Sequence, residues 1–432
     1  MRRFADAVGA ASRWLASVQG RRWLLRGLLA YAVVGFCVWI RRPGDFEGYL
    51  IAGNLVLSGR HIYLDAPAGV NTWPPFFSLL SVPLALLAAP TPYLARGFWL
   101  LLNFACLLLV LRMIARLVYD RELSLRAETP GLSLVAPELL VPLLLCDRYV
   151  SGNFDHLQAN IVLFALALGG LYLQATRREV VGSIALGCAA AVKVMAVLFI
   201  PYFVYRRRWR AAAYTAAAAA AFSLSPILIF GWERFWNYLA AWRAALAVGW
   251  GVGKMNQSVF AMWDRFIGHG LPAFTGSGIN DIPASGNPLV TVAVAGTAIV
   301  VGALSLWACR NQSSDRWSDL AEWSIVSIAG TLFGPVSWKA YLVVLLLPIT
   351  LLFAAWRSPG IDARTRRALG TVLLASFFMG GLTSPGFIGK ALAGTLEMAA
   401  FPTLSGLLVL GGCLLLRAHL GGQARTRGAW RP

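Results

Sequence analysis

The sequence predicts an all-α, polytopic membrane protein, and three observations predict it. Of 432 residues, 58% are hydrophobic and 13% charged, against about 25% charged in a soluble globular domain, and the mean hydropathy is +0.65. Apolar segments recur from residue 23 to residue 416. Spans of roughly 20 apolar residues cross a bilayer, so no stretch remains for a separate soluble unit, and residues 1–432 are expected to form one polytopic domain. Basic residues flank these segments: Arg2, Arg3, Arg13, Arg21, Arg22, Arg26, Arg206, Arg207, Arg208 and the tail from Arg417 to Arg431. The net charge of +19 therefore answers to anionic headgroups and topology, with the lipid bilayer as partner and no nucleic acid.

Residues 23–40 follow a basic stretch and lack a small-residue cleavage pattern before Arg41, so they are expected to remain as the first helix and to deliver Asp45 outside. The segments 74–89, 95–118 and 132–146 cannot all cross if both termini lie inside. Either 132–146, broken by Pro137, Glu138 and Pro142, stays on one face, or the short 74–89 is re-entrant and Arg112 and Arg116 lie inside. Both solutions give about twelve transmembrane helices and leave Arg148 to His156 outside. From Arg177 the chain reads as 181–192, 194–205, 211–230, 288–308, 320–336, 341–356, 368–385 and 393–416. Arg178, Arg206 to Arg210, Arg310, Arg357, Arg364 to Arg367 and Arg417 mark the cytoplasmic ends. The pair 181–205 is short for two spans unless the bilayer is thin or the helices bend. The six cysteines lack the spacing of a metal site or a disulfide framework and read as small buried hydrophobes.

Lysine occurs only at Lys193, Lys254, Lys339 and Lys390, each at a predicted helix turn opposite the basic termini. Cations held on the side that normally lacks them point to an anion-binding site. The first external loop lies on that face and is expected to carry interfacial helices. It runs from Gly44-Asp45-Phe46-Glu47-Gly48-Tyr49, through Gly59-Arg60-His61-Ile62-Tyr63, to Asn71-Thr72-Trp73-Pro74-Pro75. Asp45 precedes an apolar, helix-like run to Leu57, where a carboxylate is favoured by the helix dipole. It is placed to act as a general base, and the alternative is a capping Asp beside a solvated Glu47.

Further polar patches share this face. Arg148 to Asn160, with His156 and Gln158, brings a dense polar set to a helix start, and polar side chains entering an apolar span face a cavity or a partner. Ala190-Ala191-Val192-Lys193 places one charge in an apolar hairpin. Gly253-Lys254-Met255-Asn256-Gln257-Ser258 follows Trp232, Trp236, Trp242 and Trp250, which suit an interfacial belt or a sugar or lipid groove. Asn256-Gln257-Ser258 also spells a glycosylation acceptor. Gly334 to Tyr341, with Trp338 and Lys339, breaks between two helices.

In this order, Asp45 with the Gly59 to Tyr63 and Trp73-Pro74-Pro75 elements, Gln158-x-Asn160, Ala190 to Lys193, Asn256-Gln257-Ser258 and Pro335-x-Ser337-Trp338 resemble glycosyltransferase family 87. The resemblance runs from about residue 40 to residue 350. It implies a GT-C fold and a polyprenyl-phosphate sugar donor, with mannose the expected hexose. It also implies a glycolipid or glycan acceptor, transfer with inversion outside the cytoplasmic leaflet of the plasma membrane, and no metal or other cofactor. By that resemblance Asp45 would deprotonate the acceptor, and Lys193, Lys254 and Lys339 would stabilise the departing phosphate. The substrate-binding set is expected to include Glu47, Tyr49, Tyr63, Arg148, His156, Gln158, Asn160, Asn256, Gln257 and Trp338. Family members often carry histidine after the Ser-Trp element, where this chain has Lys339-Ala340-Tyr341. Lysine there can replace a charge but not a neutral base, which leaves His61 and His156 to be weighed. A transporter or flippase of lipid-linked sugars is the competing class, but it should show internal repeats and midplane binding groups, and no repeat is visible.

Overall fold

The computed structural model describes residues 17–67, 69–125, 131–248, 251–270, 282–311 and 315–428. Arg2, Arg3, Arg13, Trp250 and Arg431 lie outside the described residues. Among those described, the strands are confined to a two-residue parallel pair, Leu123–Ser124 with Leu132–Ser133, and the architecture is helical. Six helices are long and apolar enough to cross a membrane: Val18–Trp39, Pro92–Tyr119, Trp209–Phe230, Pro288–Cys309, Lys339–Arg357 and Phe401–Gln423. Their starts follow ordinary capping chemistry. Ser17, Thr91 and Asn287 accept first-turn N–H groups, and Pro92 and Pro288 open their helices where a missing N–H costs nothing.

Shorter or broken passes lie between them. Pro137–Leu145 leads into Asp147–Asp155, followed by Asn160–Ala175 and Glu179–Val192. The chain then breaks at Lys193, whose backbone is extended, and resumes as Val194–Leu198 and Phe199–Tyr205. Arg316–Leu332 and Ala363–Phe377 begin at Asp315 and Asp362, each accepting two backbone N–H groups.

Contacts divide the molecule into two ends. At the arginine-rich end Arg417 and Arg206 converge on Glu322 at 2.7 and 3.2 Å. Arg316 pairs with Asp120, and Arg357 with Glu138 at 2.9 Å. Tyr119, which closes Pro92–Tyr119, donates to the Glu138 carbonyl, while near the start of the same helix Arg96 pairs with Glu47 and Trp99 donates to the Leu157 carbonyl. That helix therefore runs from the first-loop end to the arginine-rich end, and the return belongs to 137–155. The helices Pro75–Leu80 and Val82–Ala88 pack on Phe46–Leu57, with Gly53 against the Ser81 carbonyl. Of the two solutions left open by the sequence, the structure has the one with a re-entrant 74–89.

The apolar core gathers around Trp323, Leu346, Leu351 and Ile328, whereas Leu29, Val34, Leu228, Ile299 and Val300 point outward. Outward apolar faces of this size are what a lipid-embedded helix presents. Cys146, Cys309 and Cys413 are buried as expected, Cys106 and Cys188 are half-buried, and Cys37 is exposed on the first helix. A thiol is apolar enough for a lipid-facing surface, so the expectation of burial fails there for a physical reason.

Candidate active site

The site grows from the turn that opens the first-loop helix. Gly44 has φ +53, and a Cβ there would meet the His156 carbonyl oxygen at 2.4 Å, so only glycine fits. The Asp45 backbone N–H donates to the same carbonyl at 2.9 Å. Asp45 occupies the N-cap of Phe46–Leu57, yet its side chain makes no capping bond. Its carboxylate instead accepts from the Gln158 amide, which sets aside the capping alternative.

From Gln158 a chain of polar groups runs inward. The Asn160 amide donates to Gln158 Oε1 at 3.1 Å and to Asn153 Oδ1 at 3.0 Å, and Lys193 Nζ donates to Asn160 Oδ1 at 2.7 Å. Asn153 is anchored on the Tyr149 and Ala340 carbonyls. The Lys193 ammonium lies over the Tyr341 ring and 5.3 Å from the Trp73 centroid, a cation–π setting. Burial pushes Asp45 up from the usual carboxylate range to about 6, against the opposing pull of His156, Gln158 and Lys193. Burial lowers the Lys193 amine well below its ordinary value, offset by Asp45.

A second cluster stands beside the first. Arg148 donates to the Gly380 carbonyl and the Thr383 hydroxyl at 2.9 Å each, and to Glu397 Oε1 at 2.5 Å. Lys339 Nζ reaches the same Glu397 oxygen at 2.6 Å. Lys254 lies close by, its side chain against Gly394 on the helix Lys390–Met398 that carries Glu397. Arg148, His156, Gln158, Trp338 and Lys339 line a polar cavity of about 420 Å³, and so do the carboxylates Asp147 and Asp155, the latter paired with Arg42. On the other side of the Asn160–Lys193 chain, Trp73, Lys193, Trp242, Phe333, Pro335 and Tyr341 line an apolar groove of about 500 Å³. Gln158 thus links the carboxylate to the cavity, and Lys193 links the polar chain to the groove.

The remaining expected residues fall into two groups. Glu47 pairs with Arg96 at 3.2 Å. Tyr49 packs edge-on against Trp73, Phe77 and Trp99, and Tyr63 donates to the Trp73 carbonyl at 2.7 Å, so all three brace the first loop. Asn256 and Gln257 are buried and spend their amides on the chain: Asn256 on the Pro335 carbonyl and the N–H groups of Ser258 and Ser337, Gln257 on the Lys254 and Glu397 carbonyls. A buried, engaged Asn256 is no glycan acceptor. The four lysines do not share one pocket, since Lys193 belongs to the Asp45 chain, Lys254 and Lys339 to the Glu397 cluster, and Lys390 is exposed. His61 accepts from the Tyr63 and Leu64 N–H groups and holds a turn, while exposed His156 contributes its carbonyl to Asp45. Trp232 and Trp236 are exposed, but Trp242 donates to the Thr72 carbonyl and joins the groove.

Sequence reasoning missed Glu397, and it named the patches that hold Asn153 and Tyr341 without giving either residue a role. Glu397 had a signal, because no other Asp or Glu follows Asp362 and this one sits within an apolar segment.

These features define a helical membrane protein with a buried carboxylate whose glutamine partner lines a cavity shared by cations and carboxylates. The sequence profile of glycosyltransferase family 87 matches residues 71–335, and the chain belongs to that family. It is 27% identical over 387 residues to a polyprenol-phosphate-mannose-dependent alpha-(1-2)-phosphatidylinositol mannoside mannosyltransferase of Mycobacterium tuberculosis, covering 84% of this chain and 85% of that one. It is also 27% identical over 302 residues to the pentamannoside mannosyltransferase of the same organism, covering 70% of this chain and 60% of the other. Among solved structures, ArnT from Cupriavidus metallidurans bound to undecaprenyl phosphate is similar at a TM-score of 0.38 and 15% identity, covering 93% of this chain and 78% of that one.

Proposed function

We propose that the chain transfers mannose from a polyprenyl-phosphate mannose to a glycolipid or glycan acceptor, with inversion, at the extracytoplasmic face of the plasma membrane. The observation that carries this reading is the Asp45 carboxylate held by Gln158, which itself lines the cavity that Arg148 and Lys339 enter. Asp45 accepts the acceptor hydroxyl proton as that oxygen forms its bond to the anomeric carbon. The bond from that carbon to the phosphate oxygen breaks, and the prenyl phosphate leaves with the electron pair. Arg148 and Lys339 meet the charge developing on it, and the apolar groove lined by Trp73 and Trp242 takes lipid chain. Lys193 serves the base, through Asn160 and Gln158, and borders that groove. The donor class is supported by the names of the relatives, and family membership favours transfer over the transport alternative. The arginine-rich end supports a cytoplasmic position for that end, hence an external site.

Incubating the purified chain with a panel of lipid-phosphate sugars, followed by mass spectrometry, tests the reading. The expected result is hexose transfer from the prenyl-phosphate mannose with release of prenyl phosphate. Transport of an intact lipid-linked sugar without glycosidic product would contradict it.

A further inference from the structure

Glu397 is fully enclosed, 3% exposed, and presents one oxygen to two cations, Arg148 at 2.5 Å and Lys339 at 2.6 Å. It does not line the polar cavity, whereas both of its partners do. The two cations therefore stand between a fixed internal anion and the space where an external one would sit. The backbone around it is heavily fastened. Gln257 donates to the Glu397 carbonyl at 2.8 Å, and Thr403 donates to Gln257 Oε1 at 2.9 Å. Arg148 is held from a second side by Gly380 and Thr383, so it does not rely on Glu397 alone for its position.

We propose that Glu397 is a counter-ion that sets the affinity of the Arg148–Lys339 pair for a lipid phosphate, cancelling enough of their charge for the released prenyl phosphate to depart. The inference rests on the reading of the polar cavity as the phosphate site. Asp147 and Asp155 line the same cavity, Asp155 being paired with Arg42, but Glu397 is the carboxylate that pairs directly with Arg148 and Lys339, and without it those two cations and nearby Lys254 would attract a phosphate more strongly. A group that binds the product as tightly as the transition state gains nothing in turnover. The buried carboxylate divides the attention of both cations and leaves a pair able to stabilise the leaving group and then release it. It touches neither substrate nor reacting atoms in this arrangement and acts through Arg148 and Lys339, as a positioning and charge-setting residue.

The test is binding of farnesyl phosphate to the full-length chain in detergent, with farnesol as the uncharged control. Glu397→Gln keeps an acceptor oxygen and removes the charge, and is expected to bind farnesyl phosphate about tenfold more tightly, with farnesol binding unchanged. Its turnover falls while inhibition by prenyl phosphate deepens, a split that a merely structural defect would not produce. Glu397→Asp withdraws the carboxylate by one methylene and is expected to tighten binding about threefold, which keeps the question answerable if the Gln variant fails to fold. Unchanged or weaker farnesyl phosphate binding in a folded variant overturns the proposal. Arg148→Met separates this failure from that of the underlying reading. Unchanged binding in Arg148→Met removes the phosphate from this cavity and overturns both, whereas lost binding there without a gain at Glu397 overturns the counter-ion role alone.

Discussion

Asp45 is the residue on which the chemistry turns, and its surroundings make separate predictions. Asp45→Asn keeps the shape and the contact with Gln158 but cannot take a proton, so transfer is expected to fall by at least about a hundredfold. Because burial raises the folded carboxyl above its ordinary value to about 6, this group stabilises the folded state at pH below its unfolded value. That contribution is lost as pH rises through about 6. The Asn variant is therefore expected to melt no lower than wild type at neutral pH, which circular dichroism in detergent will check. The base works only when ionised, so the wild-type rate should fall as pH drops through about 6. Lys193 pulls the Asp45 value down. Lys193→Met is thus expected to move that acid limb to higher pH, and an unmoved limb would detach Lys193 from the base.

At the scale of elements, the turn at Gly44 and the break at Lys193 do the positioning. Gly44→Ala puts a Cβ into the His156 carbonyl at a positive φ; it is expected to cost about 1–3 kcal/mol in stability and to lower the transfer rate by separating Asp45 from Gln158. Denaturant melts and initial rates on the same preparation measure both. Much of this was legible in the chain. Asp45 before an apolar helical run, Gln158-x-Asn160 and a lone Lys193 between two short apolar segments each announced a polar group at a helix end, and the structure joins them in one chain. The path between 74 and 146 was not legible, because hydropathy measures length and polarity, whereas the re-entrant turn is fixed by the close contact of Gly53 with the Ser81 carbonyl. Asn256 and Gln257 look like ligand-binding residues by type, and only tertiary contacts reveal that the backbone consumes them. Glu397 was overlooked because its partners are 249 and 58 residues away in sequence.

Across the whole molecule, two buried ionic clusters pin opposite ends of the bundle. At the end away from the site, Glu322 is enclosed with Arg417 and Arg206 and also accepts from Tyr202 at 3.1 Å. Removing one member of such a set strands a buried charge, so Glu322→Ala is expected to cost about 3–5 kcal/mol while leaving the donor KM of the surviving folded enzyme unchanged. A thermal melt paired with donor kinetics reads both. The other cluster sits at the site, and the apolar surface between them belongs to lipid. The decisive experiment is mannosyl transfer by purified wild-type and Asp45→Asn protein in proteoliposomes. It uses a prenyl-phosphate mannose of defined β-configuration and a glycolipid acceptor, with the anomeric configuration of the product read by NMR. An α-linked product is expected from wild type, and at least about a hundredfold less of it from the folded variant. A β-linked product, or equal turnover by the two proteins, would contradict the proposed mechanism.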